Sequence, residues 1–326
     1  MKVALITGIT GQDGHHLAPF LKNKGYEVHG LISGQERTRS GQFAELFPFV
    51  ELHFGDLTDF SSLLEVISMV QPDEIYNLGA ISFVGLSFNQ PELTANVTGL
   101  GTLRILESVR KLGLVNRTRI FQASSSEMFG MVKETPQSEL TPFNPRSPYG
   151  VAKTFAHYSC VNYREAYGMF ISCGIMFNHE SEFRGFEFVT RKITSNLAKI
   201  KLGLKESFDL GDLTPQRDWG YAGDYVEAMW KILQYKDPTD FVIATGKTRS
   251  VKDFLLETMN YLKLGSDFSK YINFNKLFLR PSEVHLLIGD ATKANNLLNW
   301  YPKTSFDDMI KIMVDNDINL LSEKIQ

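Results

Sequence analysis

The chain has only two cysteines in 326 residues, Cys160 and Cys173, and no Cys-x-x-Cys pair. That excludes a disulfide framework and a thiolate metal knuckle, and leaves two inert core thiols in a reducing compartment as the expectation. An excess of charge is also missing, because 34 Lys and Arg stand against 37 Asp and Glu, a net charge of −3. Such a surface has no field to hold a polyanion, which argues against nucleic acid as a partner. No apolar run approaches the ~18 residues of a spanning helix. The segment from Met1 to Thr7 runs into glycines without a signal-like apolar core or cleavage site. A cytoplasmic protein with no membrane partner is expected. Repeats, low-complexity stretches and long charge blocks are absent too. What is present, 43% hydrophobic and 22% charged residues, is a globular mix long enough for two units or one large α/β domain with an attached lobe.

Apolar runs of strand length at 3–7, 27–32, 50–54, 74–78, 119–123 and 170–176 alternate with helical-period segments at 14–24, 60–70, 93–112 and 149–167. Strands that are apolar on nearly every residue, separated by helices, imply a parallel sheet covered on both faces. The expected fold is therefore α/β, a doubly wound Rossmann sheet with a smaller, discontinuous C-terminal lobe. A dinucleotide-binding domain over 1–177 is expected, with the substrate lobe mainly over 178–326. A helix at 221–234 and a strand at 241–244 predict that the chain returns to the sheet over about 212–247. Helices at 251–264, 290–300 and 306–325 are expected to close the second lobe.

Gly8, Gly11 and Gly14 lie in Thr7-Gly8-Ile9-Thr10-Gly11-Gln12-Asp13-Gly14, directly between the first strand and the first helix. Glycines there permit a tight turn and let a pyrophosphate approach backbone N–H groups at a helix N-terminus. The spacing at that position predicts dinucleotide binding, with Gly8, Thr10, Gly11, Gln12, Asp13 and Gly14 in the cradle. Asp56-Leu57 follows the third strand where an adenine would lie, although Asp56 also suits a helix cap. The second strand ends His29-Gly30-Leu31-Ile32-Ser33-Gly34 without the acid that holds a ribose 2′-OH, and Arg37 and Arg39 follow. This pattern favours NADP, leaves NAD open, and also suits two solvated surface arginines.

Of the twelve tyrosines only Tyr149 has a lysine four residues later, Lys153. Both project from one face of a helix that opens after Pro148. An ammonium near a phenol is expected to depress the phenol pKa and arm it as a base for a hydroxyl proton. The fifth strand ends Ser124-Ser125-Ser126-Glu127, at the sheet edge where doubly wound folds bind ligands. A polar turn is the other reading of that serine run.

Loop, serines, Tyr149 and Lys153 together resemble the extended short-chain dehydrogenase/reductase family, and Glu127, two residues after a hydroxyl residue, narrows this to its sugar-nucleotide 4,6-dehydratase group. The segments 8–14, 71–78, 145–149, 162–168, 177–181, 188–193, 217–220 and 280–284 are similar to the GDP-mannose branch of that group. The resemblance implies catalytic roles for Ser125, Glu127, Tyr149 and Lys153. It implies that Leu78, Asn178 and His179 join Tyr149 and Lys153 around the cofactor, and that Ser82, Ser125, Asn178, Val189, Lys192, Arg217, Arg280 and Glu283 hold a GDP-sugar. No metal is implied. The reaction implied is conversion of GDP-mannose to GDP-4-keto-6-deoxy-mannose, by oxidation at C4, loss of water across C5 and C6 and return of the hydride to C6. A GDP-manno-heptose substrate, or an epimerase or 4-ketoreductase on the same fold, are the alternatives. A homodimer or homotetramer is expected.

Three departures bear on these alternatives. Ser33-Gly34 replaces an arginine pair that in the family serves the 2′-phosphate and a neighbouring subunit. Ile81 and Phe83 replace two polar residues beside the sugar pocket. Glu182-Phe183-Arg184-Gly185-Phe186 replaces a more basic rim loop.

Overall fold

The computed structural model describes residues 1–34 and 37–323, without the side chains of 37–39. Seven parallel strands form the central sheet: β1 (Val3–Thr7), β2 (Glu27–Ile32), β3 (Val50–Phe54), β4 (Glu74–Asn77), β5 (Arg119–Ser125), β6 (Ile171–Met176) and β7 (Phe241–Ile243). Their order is β3-β2-β1-β4-β5-β6-β7, so the direction of winding reverses between β1 and β4. This is the doubly wound architecture expected from the apolar runs, and its switch point lies at the carboxyl ends of β1 and β4.

Helices α1 (Gln12–Asn23), α2 (Arg37–Leu46), α3 (Phe60–Val70), α4 (Gly101–Lys111) and α5 (Pro148–Tyr167) connect the first six strands. On one face Leu63, Ile67, Ile105, Val109 and Cys160 from α3, α4 and α5 cover Leu5, Ile75 and Ile120 of the sheet. Both cysteines are free and buried there. The α3 cap is Asp59, whose carboxylate accepts from the Ser61 and Ser62 N–H groups. Asp56 instead folds over Thr58, accepting from its N–H and its hydroxyl at 2.7 Å each, so the capping reading of Asp56 is not realised. The α5 start has Ser147 as cap and Pro148 in the first turn, and it ends at Gly168 with φ 65°.

The single helix expected over 93–112 is present as a continuous run, with one wider stretch inside it. Pro91–Thr94 is followed by a π-turn over Ala95–Leu100 before α4 starts. Gly99 and Gly101 lie so close to Phe155 and Leu57 that a Cβ would stand 3.2 and 2.9 Å from them, and the wider turn seats the backbone there.

Helix α6 (Val189–Lys201) starts the second lobe, α7 (Ala222–Gln234) returns to the sheet beside α1, and β7 then pairs with β6. Helices α8 (Val251–Tyr261), α9 (Thr292–Leu298) and α10 (Phe306–Glu323) follow. A separate core of Leu197, Phe254, Met259, Ile310 and Met313 joins α6, α8 and α10. Residues 290–300 do not close that lobe as expected. Ala294, Leu298 and Trp300 enter the core on the α1 and α7 side of the sheet. The Trp300 indole N–H donates to the Asp224 carbonyl at 2.9 Å and its ring meets Tyr225 edge-on. Sequence periodicity gave the helix but could not say which of two apolar faces it covers.

In the second lobe Arg191 of α6 and Asp317 of α10 form a buried pair at 2.7 Å, and Thr194 donates to the other Asp317 oxygen at 2.7 Å. Burial pushes the Asp317 carboxyl above its ordinary value, and Arg191 and Thr194 offset that only in part. Such a pair adds little net stability, yet removing one partner strands a buried charge. Asp317→Ala should therefore lower unfolding free energy by about 3–5 kcal/mol. Urea denaturation followed by circular dichroism measures it, and a loss below 1 kcal/mol would refute the buried-charge account.

Candidate active site

The turn from β1 into α1 is fixed by close packing. Gly8 has φ +65°, and a Cβ on it would stand 2.9 Å from the Gly79 backbone; a Cβ on Gly14 would stand 1.9 Å from the Ile9 carbonyl oxygen. Gly11 caps α1 without a side-chain bond, and its own N–H donates to the Gly8 carbonyl. The sharp turn thus leaves the first N–H groups of α1 as the anion-binding end of the helix. Below it, Thr7 donates to Asn77 at 2.7 Å and Asn77 to Gln122 at 2.7 Å, joining the carboxyl ends of β1, β4 and β5. Thr10 is buried. Leu57 packs on Gly79 and Gly101, and Leu78 packs against the core beneath the loop. The side chains of Arg37 and Arg39 lie outside the described residues.

Asp13 points away from the turn toward His179, whose Nε2 lies 3.0 Å from both carboxylate oxygens. The other ring nitrogen faces the Phe177 carbonyl at 2.8 Å, and the ring stacks on Tyr225. Two acceptors on two ring nitrogens favour the imidazolium. Burial pulls the His179 pKa down, but Asp13 and Phe177 outweigh it and hold it above its ordinary value. Burial likewise pushes Asp13 up, and the His179 charge and hydrogen bond bring it down to about 2. Gln12 donates to the His179 carbonyl at 2.9 Å. The Gln12 Oε1 and Asn178 Oδ1 atoms are buried and find no partner among the described residues. Orphaned carbonyl oxygens at the glycine turn and at the exit of β6 fit the polar groups of a nicotinamide dinucleotide.

Ser125 and Glu127 sit in a short turn at the end of β5, where the Ser125 hydroxyl accepts from the Glu127 N–H at 3.2 Å. Gly150 packs against the Glu127 carbonyl, where a Cβ would come within 2.7 Å, and so sets the first turn of α5 directly on this segment. The buried Tyr149 and Lys153 thereby join Ser125 and Glu127 in one group. The expected depression of the Tyr149 pKa by Lys153 is not found. Burial pushes the phenol up to about 12, and the Ser125 hydrogen bond and the Arg184 charge lower it only in part. The Lys153 ammonium donates instead to the Ala123 carbonyl at 2.7 Å, and burial lowers its own pKa to about 8. Sequence reading placed Arg184 in the rim loop. In three dimensions its charge acts on Tyr149, Asp13 and His179, with its Nε 3.1 Å from the buried Glu180.

Across the cleft two arginines meet two glutamates. Arg217 lies 3.1 Å from Glu283 and 3.7 Å from Glu127; Arg280 lies 3.4 Å from Glu283 and 3.8 Å from Glu127. Arg217 is also tied to the Val284 carbonyl at 2.6 Å, whereas Arg280 is partly exposed. Neither is a plain surface ion pair. Lys192 on α6 stands 3.2 Å from the centre of the Phe278 ring, and Val189 begins that helix at the surface. Ser82 is exposed. The Phe83 ring meets Phe188 edge-on at 5.6 Å, making that wall apolar.

A Tyr-x-x-x-Lys helix facing a glycine turn across the switch point of a parallel sheet is the arrangement of the extended short-chain dehydrogenases/reductases, and this fold and site fall in that class. The family described as GDP-mannose 4,6 dehydratase matches residues 5–313, and the chain belongs to it. GDP-mannose 4,6 dehydratase of Homo sapiens is 47% identical over 344 residues, covering 98% of this chain and 92% of that protein. GDP-mannose 4,6 dehydratase 1 of Arabidopsis thaliana is 48% identical over 329 residues, covering 98% of this chain and 90% of that protein. Among solved structures, RMD from Pseudomonas aeruginosa complexed with NADPH gives a TM-score of 0.81 at 20% identity, covering 98% of this chain and 100% of that one. The dTDP-glucose 4,6-dehydratase from Bacillus anthracis in complex with NAD gives 0.82 at 19% identity, covering 97% and 96%. Those two likenesses carry the fold.

The Asp13–His179 pair makes stability depend on pH in a defined way. A depressed Asp13 pKa contributes stability that is complete above its ordinary value of 3.8 and is lost as pH falls toward about 2. A raised His179 pKa contributes stability that is complete below its ordinary 6.5 and is lost as pH rises through the folded value. Asp13→Asn should remove both limbs, erasing about 2 kcal/mol of acid-side dependence. Urea midpoints from pH 2.5 to 8 test this, and a variant whose profile parallels the wild type would disprove the linkage.

Proposed function

We propose that the chain converts GDP-mannose to GDP-4-keto-6-deoxy-mannose by an internal redox elimination, with NADP held as a prosthetic group. The observation that carries this reading is the placement of Glu127, in a chain of this family, between the Ser125–Tyr149 group and the two cleft arginines. Gly8, Thr10, Gly11, Gln12, Asp13 and Gly14 would form the phosphate side of the cofactor site. Asp56, Leu57 and Leu78 would lie along its adenosine, and Asn178 with His179 toward the nicotinamide. When bound, the nicotinamide supplies the two-electron store that takes hydride from C4 of the hexose and returns it to C6.

Tyr149 receives the O4 proton, with Ser125 hydrogen-bonded to the phenol and Lys153 orienting the helix face through Ala123. The resulting 4-ketone acidifies the C5 proton, which Glu127 removes. The same carboxyl then protonates the departing C6 hydroxyl as water, assisted by Ser125. Arg217 and Arg280 hold the diphosphate through charge-assisted bonds, in exchange for part of their contact with Glu283 and Glu127. Val189, Lys192 and Ser82 complete the GDP-sugar site. The apolar Phe83–Phe188 wall also suits a GDP-manno-heptose, so both sugars belong in the assay.

Exposed Leu100, Val151, Phe155 and Tyr158 form an apolar patch along α5 and the turn before α4, which supports a homodimer through those helices. Among the described residues no helix is long and apolar enough to cross a membrane. Two free cysteines suit a reducing compartment, which supports a cytoplasmic location.

Purified protein given GDP-mannose without added cofactor should yield a product lighter by one water in mass spectrometry. Glu127→Gln should keep GDP-sugar binding and lose about 10²–10⁴ in turnover. Undiminished turnover in that variant would reopen the epimerase and reductase readings. Denaturing the enzyme should release NADP(H), identified by chromatography; recovery of NAD alone would reverse the cofactor assignment.

A further inference from the structure

A second group of ionisable side chains lies on β2 and β3 at the edge of the sheet, away from β5 and the catalytic cleft. His29 on β2 and Glu51 and His53 on β3 point to one face, because the parallel register pairs His29 with Glu51 and Leu31 with His53. One ligand-type atom from each of the three lies within 4.8 Å of the others. The two imidazoles face each other, His29 Nδ1 to His53 Nε2, at 2.9 Å. Glu51 stands 3.8 Å from His29 Nδ1 and 3.9 Å from His53 Nε2. Glu27, two residues before His29 on the same strand, lies 3.1 Å from His29 Nε2.

The last contact decides how the cluster is wired. With its Nε2–H donated to Glu27, neutral His29 presents an unprotonated Nδ1 to His53. Two facing imidazole nitrogens hold one proton or one cation between them. A carboxylate behind the first histidine, fixing its tautomer and raising its basicity, is the supporting arrangement found around metal-bound histidines. Ligands at ~2.0–2.1 Å from a tetrahedral Zn²⁺ stand about 3.3 Å apart. The two nitrogens would open by a few tenths of an ångström, and the Glu51 carboxylate would close by about as much. Glu51 is 66% exposed and free to turn, while both histidines are buried and set in strands.

We propose that His29 Nδ1, His53 Nε2 and the Glu51 carboxylate bind one divalent first-row transition ion, with Glu27 as the positioning residue behind His29 and water in the remaining place. Two imidazoles and one carboxylate select Zn²⁺, Ni²⁺ or Cu²⁺ over Mg²⁺ or Ca²⁺. The ion would clamp the edge strand β3 to β2. It touches none of the residues placed in the catalytic or nucleotide sites, so its effect is on the integrity of the sheet edge and not on the reaction.

The test uses the untagged full chain, stripped with a chelator and titrated with ZnCl₂ by calorimetry, with CoCl₂ as a spectroscopic probe. One Zn²⁺ per chain should bind in the micromolar range or tighter. Co²⁺ should show the visible absorption of a four-coordinate ion, and Zn²⁺ should raise the melting temperature. Glu27→Gln should weaken binding by about 10- to 100-fold. Glu51→Gln, at an exposed position, should weaken it at least tenfold, and His53→Gln should abolish both the spectrum and the shift in melting temperature. Absence of saturable one-to-one binding in the wild type, or affinity unchanged in Glu51→Gln and His53→Gln together, would overturn the proposal and leave a hydrogen-bonded histidine pair.

Discussion

The contact between Asp13 and His179 joins two parts of the chain that are otherwise built separately. Asp13 belongs to the first turn of α1, so its position is set by the glycine turn, and that turn is set by backbone contacts that admit no Cβ at Gly8 or Gly14. His179 belongs to the segment leaving β6, which pairs with Gly220-Tyr221 on the way into the second lobe. Charge attraction across 3.0 Å in a buried setting resists separation more strongly than a surface pair would. Gln12 adds a bond to the His179 backbone, and Tyr225 of α7 closes the ring from behind. The glycine turn, the returning helix and the floor of the cleft are therefore linked through this one pair.

Most of the sheet was legible because a doubly covered parallel strand is apolar on nearly every residue. The first three strands were read at their observed bounds, and α3 as well. What local pattern could not show was the side on which an element packs. Residues 290–300 read as a helix either way, and only the requirement that Tyr225 be covered places Trp300 on the sheet. The π-turn before α4 was hidden for a related reason: Gly99 and Gly101 look like weak helix positions until Phe155 and Leu57 are seen against them. At the site, Ser125, Glu127, Tyr149 and Lys153 do come together, since two adjacent element ends carry them. Arg184 was legible only as a rim residue, because its approach to Tyr149 and His179 follows from the path of the loop between the short strand at His179–Glu180 and α6.

That loop is held from beneath. The Arg191 guanidinium donates to the carbonyl oxygens of Glu182 and Arg184 as well as pairing with Asp317. From above, Phe183 stacks on His15 of α1 at 4.5 Å, and the Arg184 guanidinium lies 3.6 Å from the centre of the Phe188 ring. The loop points its one arginine inward, where its charge acts on Tyr149, Asp13 and His179. Beside it Phe83 packs on Phe188 and makes that wall apolar.

The inward charge matters because burial works against Tyr149. A phenol held up at about 12 surrenders its proton reluctantly, and a neighbouring lysine brought down to about 8 is a weaker source of positive potential than the four-residue spacing implies. Lys153 is also committed to the Ala123 carbonyl, which fixes it as a brace between α5 and β5. The groups of this chain that do favour the phenolate are the Ser125 hydroxyl, by direct hydrogen bond, and Arg184, by charge. Glu127 and Asp13 oppose them. Of these opponents Asp13 is held 3.0 Å from His179, whose positive charge lies beside the buried carboxylate. One contact therefore bears both on the cohesion of the cleft floor and on the charge felt by Tyr149, because the carboxylate that anchors His179 is also one of the two that raise the phenol pKa.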